Sequence, residues 1–241
     1  MKKLKNEKKK SNIEFLISKM NNRNSVENEV FIYSVLEELC KKNNIAQKFC
    51  PICGNESDFF LPYGENPRKN AQCPYCLSLE RNRLLYLFFK YSNLIKSKTK
   101  MLYVSPEYSL HNYFKNLKNI EYSTTNKSFD DEIIDLKNIN LKNNYFDIIV
   151  LSQSTNFIDN EKKCKKVYDI TKNNGALIFL DNPDNDLKNV LDKLNKIGFE
   201  VNEFKYSSFG DQFLFERYSL EKSSIFVCKK SSKYNFGKGK S

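Results

Sequence analysis

Four of the seven cysteines stand in two C-x-x-C pairs, and 19 residues separate the pairs. These residues are Cys50, Cys53, Cys73 and Cys76. A proline follows the first cysteine of each pair, which favours the tight turns that let two sulfurs face one ion. Four thiolates close a tetrahedral zinc shell, whereas catalytic zinc usually has three protein ligands and an open water position. The spacing therefore predicts one structural zinc ion.

A redox role, which a single C-x-x-C pair can have, would leave the second pair unexplained. The other cysteines, Cys40, Cys164 and Cys228, lie within or beside apolar helical or strand patterns. Free cysteine in such surroundings behaves as a small hydrophobic side chain. We therefore predict three buried thiols in addition to the metal site.

The elements that must position the metal site follow from periodicity. The cysteine pairs lie in residues 46–83, which show little periodicity, and helical stripes are present at 25–43 and 80–95. Further on, strand-like and helix-like patterns alternate, which predicts a mostly parallel sheet covered on both faces. The predicted strands are 100–105, 120–125, 133–136, 146–152, 176–181, 199–206 and 224–228, and the predicted helices are 108–117, 159–172 and 184–197. Ligands of such sheets bind beyond the carboxyl ends of the strands, near the topological switch point.

The net charge of +11 is concentrated at the two ends of the sequence. Residues 1–10 carry six Lys and one Glu, and residues 229–241 carry five Lys and no acid, which leaves a net charge of +1 between them. A near-neutral body gives poor support for a dedicated phosphate-binding face, although basic tails can bind nucleic acid non-specifically. No apolar run approaches the roughly 18 residues of a spanning helix. We predict a cytoplasmic globular protein without membrane insertion.

The run from Arg68 to Arg83, which contains the second cysteine pair, resembles a segment of one family of bacterial class I S-adenosylmethionine-dependent methyltransferases. In that family a cysteine pair and an R-x-N-A-x-C-P-x-C-x-S-x-E-R-x-R segment lead into a long helix and a Rossmann-like domain. The same order holds here over residues 49–230. The resemblance implies an α/β fold, with a Rossmann-like class I methyltransferase sheet, an N-terminal helical segment and a small zinc-binding module.

The resemblance also implies that S-adenosyl-L-methionine is the cofactor. Ser105, Pro106 and Glu107 correspond to the loop after the first strand, which approaches the methionine end of the cofactor. Asn126 follows the second strand, at the position of an acidic residue that binds the ribose hydroxyls. These four residues are expected to hold the sugar and the amino acid parts of the cofactor.

The remaining cofactor contacts that the resemblance implies follow the third and fourth strands. Asp135 and Leu136 correspond to the residues that flank the adenine, and Ser152 and Gln153 follow the fourth strand. In a doubly wound sheet the ends of these strands converge on one crevice. We therefore expect the cofactor to lie across the ends of four strands.

Three features depart from the pattern of class I methyltransferases. The sequence has no glycine between Gly64 and Gly175, so the cofactor loop lacks the glycine of generic class I enzymes, although the family that the sequence resembles often has a V-A-P-E type loop here. Asn126 replaces a carboxylate. The Glu-His pair that many relatives have after the fourth strand is replaced by Asn156 and Phe157. The lone histidine, His111, is predicted to lie on the surface, which leaves Glu107, Asp159 and Asp181 as candidates for a base or an orienting group.

We predict a methyltransferase with an unidentified acceptor, preferably a small molecule or a sugar. Methyl transfer from a sulfonium needs positioning and exclusion of water, and it needs a base only where the acceptor loses a proton early. Two alternatives are a catalytically inactive, methyltransferase-like zinc-binding scaffold and an RNA-binding or RNA-modifying protein that uses the basic tails. The predicted domains are 1–45 (basic tail and amphipathic helix), 46–83 (zinc-binding module), 84–230 (methyltransferase-like domain) and 231–241 (basic tail).

Overall fold

The computed structural model describes residues 48–125, 142–151, 158–180, 186–209 and 212–231. The helix predicted at 25–43 and the strand predicted at 133–136 lie outside the described residues. In the cysteine-containing segment, β1 (Lys48–Phe49) pairs antiparallel with β2 (Glu56–Ser57). A second antiparallel pair joins β3 (Leu61–Tyr63) to β4 (Arg68–Gln72). These strands are short, so the segment has little core of its own.

The rest of the described chain alternates between helices and strands. Its elements are α1 (Glu80–Tyr91), β5 (Thr99–Val104), α2 (Tyr108–Lys115), β6 (Ile120–Thr124), β7 (Phe146–Leu151), α3 (Glu161–Ile170), β8 (Thr171–Leu180), α4 (Leu187–Ile197), β9 (Phe199–Phe204), a 3-10 turn (Tyr206–Phe209), α5 (Gln212–Tyr218) and β10 (Ile225–Lys230). Each predicted strand and helix within the described residues is present, with ends that differ by a few residues.

The strands from β5 onward form one mixed sheet in the order β6-β5-β7-β8-β10-β9. β5 lies parallel to β6 and β7, and β7 lies parallel to β8. β10 runs antiparallel to both β8 and β9. The chain moves from β5 to β6 on one side and then crosses to β7 on the other, so the topological switch point lies at the carboxyl end of β5. This arrangement confirms the predicted Rossmann-like α/β fold.

Alternate residues of β5 pack on opposite faces of the sheet. Met101 and Tyr103 belong to the buried cluster that contains residues of α1 and α2, and Leu102 and Val104 belong to the cluster that contains residues of α3 and α4. A central parallel strand that is buried on both faces has a continuous apolar sequence, as this one does. The helices therefore cover both faces and leave the strand ends as the place for a site.

Two local expectations are wrong, and one helix was not predicted. α5 lies in a stretch for which the sequence predicted no element, and β8 begins at Thr171 rather than at residue 176. Lys230, counted with the basic tail, is the last residue of β10 and is buried. Its ammonium donates hydrogen bonds of 2.8 Å to the carbonyls of Tyr168 and Thr171. In the described part of the chain, no helix combines the length and the apolar composition that crossing a membrane requires.

Candidate metal centre and cofactor crevice

The four predicted zinc ligands come together in the structure. Their Sγ atoms all lie within 4.8 Å of one another. Cys50 Sγ lies 3.5 Å from Cys76 Sγ, and Cys53 Sγ lies 3.8 Å from Cys73 Sγ. A tetrahedron with zinc–sulfur bonds of about 2.3 Å places its sulfurs about 3.8 Å apart. The cluster therefore has the dimensions of a closed four-thiolate zinc shell.

Two turns of the same construction carry these ligands. The backbone N–H of Gly54 donates to the carbonyl of Cys50 at 2.8 Å, and that of Leu77 donates to the carbonyl of Cys73 at 3.0 Å. Gly54 and Leu77 occupy equivalent positions, and both have left-handed backbones, with φ of 73° and 59° respectively. Glycine adopts this conformation without steric cost, whereas leucine does not. The second turn is therefore the strained member of the pair.

Replacing Leu77 by Gly is expected to stabilise the protein by up to about 1 kcal/mol. The left-handed conformation costs leucine roughly 1–2 kcal/mol, and glycine's extra entropy in the unfolded state offsets part of the gain. The Leu77 side chain is 53% exposed, so little burial is lost. The control is Gly54→Ala, where an added Cβ would meet no described atom within 4 Å but would adopt the strained backbone. In urea unfolding of the zinc-loaded proteins, the free energy of unfolding should rise for Leu77→Gly and fall for Gly54→Ala. Equal destabilisation by both changes would contradict this account.

Polar groups surround the thiols. Ser78 Oγ lies 3.3 Å from Cys50 Sγ and 3.2 Å from Cys76 Sγ. Hydrogen bonds with Cys73 and Cys76 hold the pKa of Cys50 far below its ordinary value, and the contact with Cys50 raises the pKa of Cys73 to about 11. The cluster thus stabilises one thiolate by means of protonated neighbours. A zinc ion would displace the remaining protons and stabilise four thiolates together.

A fully buried guanidinium lies beside the cluster. Arg83, in the first turn of α1, is 0% exposed. Its Nη1 donates to the carbonyl of Ser78 at 2.6 Å, and its Nη2 donates to the carbonyl of Ala71 at 2.9 Å. Its Nε and Nη2 also donate to the carbonyls of Tyr218 and Ser219, at 2.6 and 2.7 Å. One side chain thereby joins β4, the second cysteine turn and the end of α5.

The charge of Arg83 points to an anionic cluster. Among the residues that the structure describes, its hydrogen-bond partners are backbone carbonyls and the Ser78 hydroxyl, and none is a carboxylate. Burial lowers the pKa of Arg83, and the Cys50 thiol is the leading group that opposes this shift. A buried charge needs a compensating charge. Four thiolates on one zinc ion carry a formal charge of about −2, so the residues present fit a bound zinc ion.

The predicted cofactor loop leaves β5 at the topological switch point. Ser105 has a left-handed backbone with φ of 49°, and its N–H donates to Thr125 Oγ1 at 3.0 Å. The loop thus makes the turn for which glycine is commonly used, although it contains no glycine. The hydrogen bond joins the end of β5 to the residue directly after β6. Two of the expected strand ends therefore meet at this point.

Glu107 is held at the start of α2 from two sides. Its Oε1 accepts a hydrogen bond of 2.8 Å from Arg81 Nε, and its Oε2 accepts one of 3.2 Å from the hydroxyl of Tyr103. The side chains of Arg81 and Glu107 are each 19% exposed. Sequence reasoning placed Glu107 in the cofactor loop but missed both of its partners. Its carboxylate serves here as an anchor for the loop.

Five other predicted cofactor residues lie outside the described residues. They are Asn126, Asp135, Leu136, Ser152 and Gln153. The strands that precede Asn126, Ser152 and Gln153 are described. Tyr103 of β5 lies in register with Thr124 of β6, and Val104 of β5 lies in register with Leu151 of β7. These strands end at the same edge of the sheet, and the assignments of the five residues stay predictions.

The expectation that His111 lies on the surface is wrong. Its side chain is 3% exposed, and its Nδ1 lies 3.1 Å from the hydroxyl of Tyr122 in β6. His111 shares a face of α2 with Leu110 and Phe114, which are also buried, and this face packs on the sheet. Cys164 and Cys228 are buried free thiols, as expected, and Asp159 forms an ion pair with Lys163 at 2.9 Å. Asp181 and Cys40 lie outside the described residues.

No protein-family model matches the sequence, and no curated protein matches it. Among solved structures, the chain is similar to phosphoethanolamine N-methyltransferase 2 of Haemonchus contortus in complex with S-adenosyl-L-methionine (10% identity, TM-score 0.44) and covers 62% of its own length and 52% of that protein. It is also similar to a SAM-dependent methyltransferase of Archaeoglobus fulgidus (12% identity, TM-score 0.46), and the match covers 62% of this chain and 94% of that protein. A third similar structure is the [4+2]-cyclase SpnF (14% identity, TM-score 0.43), where the match covers 71% of this chain and 87% of that protein.

The chain therefore spans about half the length of the first of these proteins. The neighbours include proteins named as SAM-dependent methyltransferases and one named for a different reaction. At these identities and TM-scores the likenesses carry no argument about chemistry. The strand order, the strand directions and the switch point at β5 define the fold of this chain as that of Rossmann-like methyltransferases.

Proposed function

We propose that this chain is an S-adenosylmethionine-dependent methyltransferase with a structural zinc site and a small molecule or a sugar as acceptor. One observation carries the proposal, namely the left-handed turn at Ser105, where the chain leaves the central strand at the topological switch point. Ligands of doubly wound sheets bind beyond the strand ends at that point. The turn lets backbone approach a ligand without a glycine.

The cofactor would supply a methyl group on a sulfonium that is already an activated leaving group. In this proposal Ser105 and Pro106 lie against its methionine end, and Asn126 accepts a hydrogen bond from its ribose. The remaining contacts, around the adenine and beside the methyl group, are assigned to Asp135, Leu136, Ser152 and Gln153. Glu107 positions the loop rather than acting as a base, because Arg81 and Tyr103 hold both of its oxygens.

The arginines of the zinc-binding module support a small acceptor over a nucleic acid. Arg68 donates two hydrogen bonds to Glu80, Arg81 forms an ion pair with Glu107, and Arg83 is buried. These three guanidinium groups are engaged within the protein and therefore offer little charge to phosphates, while Lys69 is exposed. The basic tails, residues 1–10 and 229–241, remain the expected route to nucleic acid. Residues 1–10 and 232–241 lie outside the described residues.

Calorimetric titration with S-adenosylmethionine and S-adenosylhomocysteine tests the proposal. We expect micromolar binding, and we expect Asn126→Asp to tighten it by about 1 kcal/mol, since a carboxylate makes a stronger hydrogen bond to a hydroxyl than an amide does. Asn143→Asp is a matched control, because Asn143 is exposed and precedes β7, at the opposite edge of the sheet. Lack of binding by wild type and Asn126→Asp at millimolar cofactor would reject the site and support the inactive scaffold.

A further inference from the structure

We infer that Arg81 is a positioning residue for the cofactor: it holds Glu107, and with it the turn at Ser105, in the conformation that binds S-adenosylmethionine. This inference rests on the proposed function and assigns a role in cofactor binding to the helix turn that follows the zinc ligands. Arg81 is the second residue of α1 and stands five positions after Cys76. It touches the loop rather than the cofactor.

The first turn of α1 connects the metal site to the rest of the protein through several side chains. Glu80 accepts hydrogen bonds of 3.0 and 3.2 Å from Arg68 of β4. Arg83 donates to the carbonyl of Ser78 in the second cysteine turn at 2.6 Å. Arg81 lies between these two residues, and the buried hydrogen bond of Arg83 to the cysteine turn fixes the backbone that carries its guanidinium. The Arg68–Glu80 pair is exposed on the Arg68 side and adds little to this.

The contact between Arg81 and Glu107 lies where two elements meet. Arg81 Nε reaches Glu107 Oε1 at 2.8 Å from α1, and the Tyr103 hydroxyl reaches Oε2 at 3.2 Å from β5. In the described part of the chain the Glu107 side chain makes no capping hydrogen bond to α2, although Glu107 is the N-cap residue. Arg81 and Tyr103 hold the carboxylate from the side instead. Because these donors come from different elements, Glu107 has little freedom to move.

The turn itself needs support from its surroundings. A residue other than glycine in the left-handed region persists only where neighbouring contacts over-determine it. The Ser105 N–H is held by Thr125 on one side, and Glu107 follows two residues later on the other. Loss of the Glu107 anchor would leave the backbone of Ser105 free to relax to an ordinary conformation. The loop would then no longer be shaped for the cofactor before the cofactor binds.

A second carboxylate makes the role of Arg81 harder to replace. Burial raises the pKa of Glu221, and the charges of Arg81 and, less strongly, Arg68 oppose this shift. Glu80 and Glu107 act in the same direction as burial, so Arg81 is the leading cation beside a group of three carboxylates. Without Arg81, the repulsion between Glu107 and Glu221 would be less compensated. The expected result is displacement of Glu107 together with its loop.

The test is S-adenosylhomocysteine binding by wild type and by Arg81→Gln, Arg81→Lys and Glu107→Gln, with the zinc content of each protein measured. We expect Arg81→Gln to raise the Kd about tenfold while one zinc per chain is retained. Arg81→Lys keeps the charge and should raise the Kd by less than Arg81→Gln does. In the Glu107→Gln background, Arg81→Gln should have little further effect, because the two residues act as a pair. The matched control is Arg68→Gln, which removes an exposed ion pair of the same turn and should change the Kd less than twofold.

Wild-type binding with an unchanged Kd for Arg81→Gln would overturn this inference and leave the proposed function standing. Equal increases in Kd for Arg81→Gln and Arg68→Gln would overturn it as well. So would effects of Arg81→Gln and Glu107→Gln on binding free energy that add fully in the double variant. No binding by wild type would reject the proposed function and this inference together. If Arg81→Gln does not fold, Arg81→Lys and Glu107→Gln decide, since an unchanged Kd in both also overturns the inference.

Discussion

Replacing Cys73 by Ser is expected to remove stoichiometric zinc and to unfold the cysteine-containing segment, the largest effect that the structure implies. The segment has two short strand pairs and a small buried cluster formed by Cys50, Phe60 and Cys73. Binding of structural zinc contributes about 10–16 kcal/mol in zinc-finger peptides, and this is folding energy. Losing one of four thiolates forfeits most of that contribution.

The unfolding should extend to α5 in the Cys73→Ser protein. Lys48 Nζ donates to the carbonyl of Glu216 at 2.7 Å, Arg217 pairs with Glu56 at 2.9 Å, and the rings of Phe49 and Tyr218 lie 5.7 Å apart. Hydrogen exchange should therefore accelerate in residues 48–78 and 212–220, while β7 and β8 stay protected.

The control for the metal site is Cys164→Ser, which changes a buried thiol elsewhere and should retain one zinc per chain. The Cys164 thiol donates to the carbonyl of Ile158 at 3.2 Å, and a serine hydroxyl can make the same bond. Elemental analysis and thermal melting measure both variants. One zinc per chain or an unchanged melting temperature in Cys73→Ser would contradict the assignment.

Replacing Arg83 by Met is expected to destabilise the protein by about 3–5 kcal/mol, as removal of one partner from a buried charge pair does. Methionine fills a similar volume, but it leaves the carbonyls of Ser78, Ala71, Tyr218 and Ser219 without their donor. It also removes the buried cation that interacts with the charge of the thiolate cluster. Unsatisfied buried acceptors and an uncompensated charge act in the same direction.

Two further variants separate the causes. Arg83→Lys keeps the charge but lacks the planar guanidinium that reaches several carbonyls. It should therefore destabilise the protein less than Arg83→Met does. Arg68→Met removes the exposed pair with Glu80 and should cost less than about 1 kcal/mol. Denaturant unfolding of the zinc-loaded proteins gives the free energies. Equal destabilisation by Arg83→Met and Arg68→Met would refute the counter-charge role of Arg83.

The four-cysteine cluster and the sheet could be predicted from the sequence because each has a local signature. Two C-x-x-C pairs specify four thiolates, and buried parallel strands have continuous apolar runs. The helix α5 has no such signature. Among its described residues none is buried, and it contacts β1, β2 and Arg83 of α1, all far away in the sequence. Pattern reasoning therefore predicted no element at residues 212–218.

The roles of the arginines depend on tertiary contacts. By charge alone, Arg68, Arg81 and Arg83 were equivalent cations. In the structure Arg68 is exposed, Arg81 holds Glu107, and Arg83 is buried beside the thiols. A signal for Arg83 was present, because residues four apart share a helix face and Leu87 belongs to the apolar stripe. An arginine on that stripe has to find buried acceptors.

The left-handed backbone conformations of Ser105 and Leu77 could not be predicted from the sequence pattern either. The absence of glycine in the cofactor loop indicated a departure from the usual turn, whereas Ser105 makes a left-handed turn with support from Thr125. Similarly, the second cysteine turn uses Leu77 where the first uses Gly54. Sequence composition shows which residue adopts such a backbone at no cost, but the surrounding contacts decide whether another residue can be held there.

In the proposed function the cofactor lies at the switch point of a sheet to which the zinc-binding module is joined. A crystal structure of the protein with S-adenosylhomocysteine decides whether it does. We expect the ligand beyond the carboxyl ends of β5 and β6, with its amino acid end against Ser105–Glu107 and its ribose at Asn126, and anomalous scattering from one zinc ion among the four cysteines. A ligand bound at another edge of the sheet, or Asn126 far from Ser105 in the complex, would contradict the account.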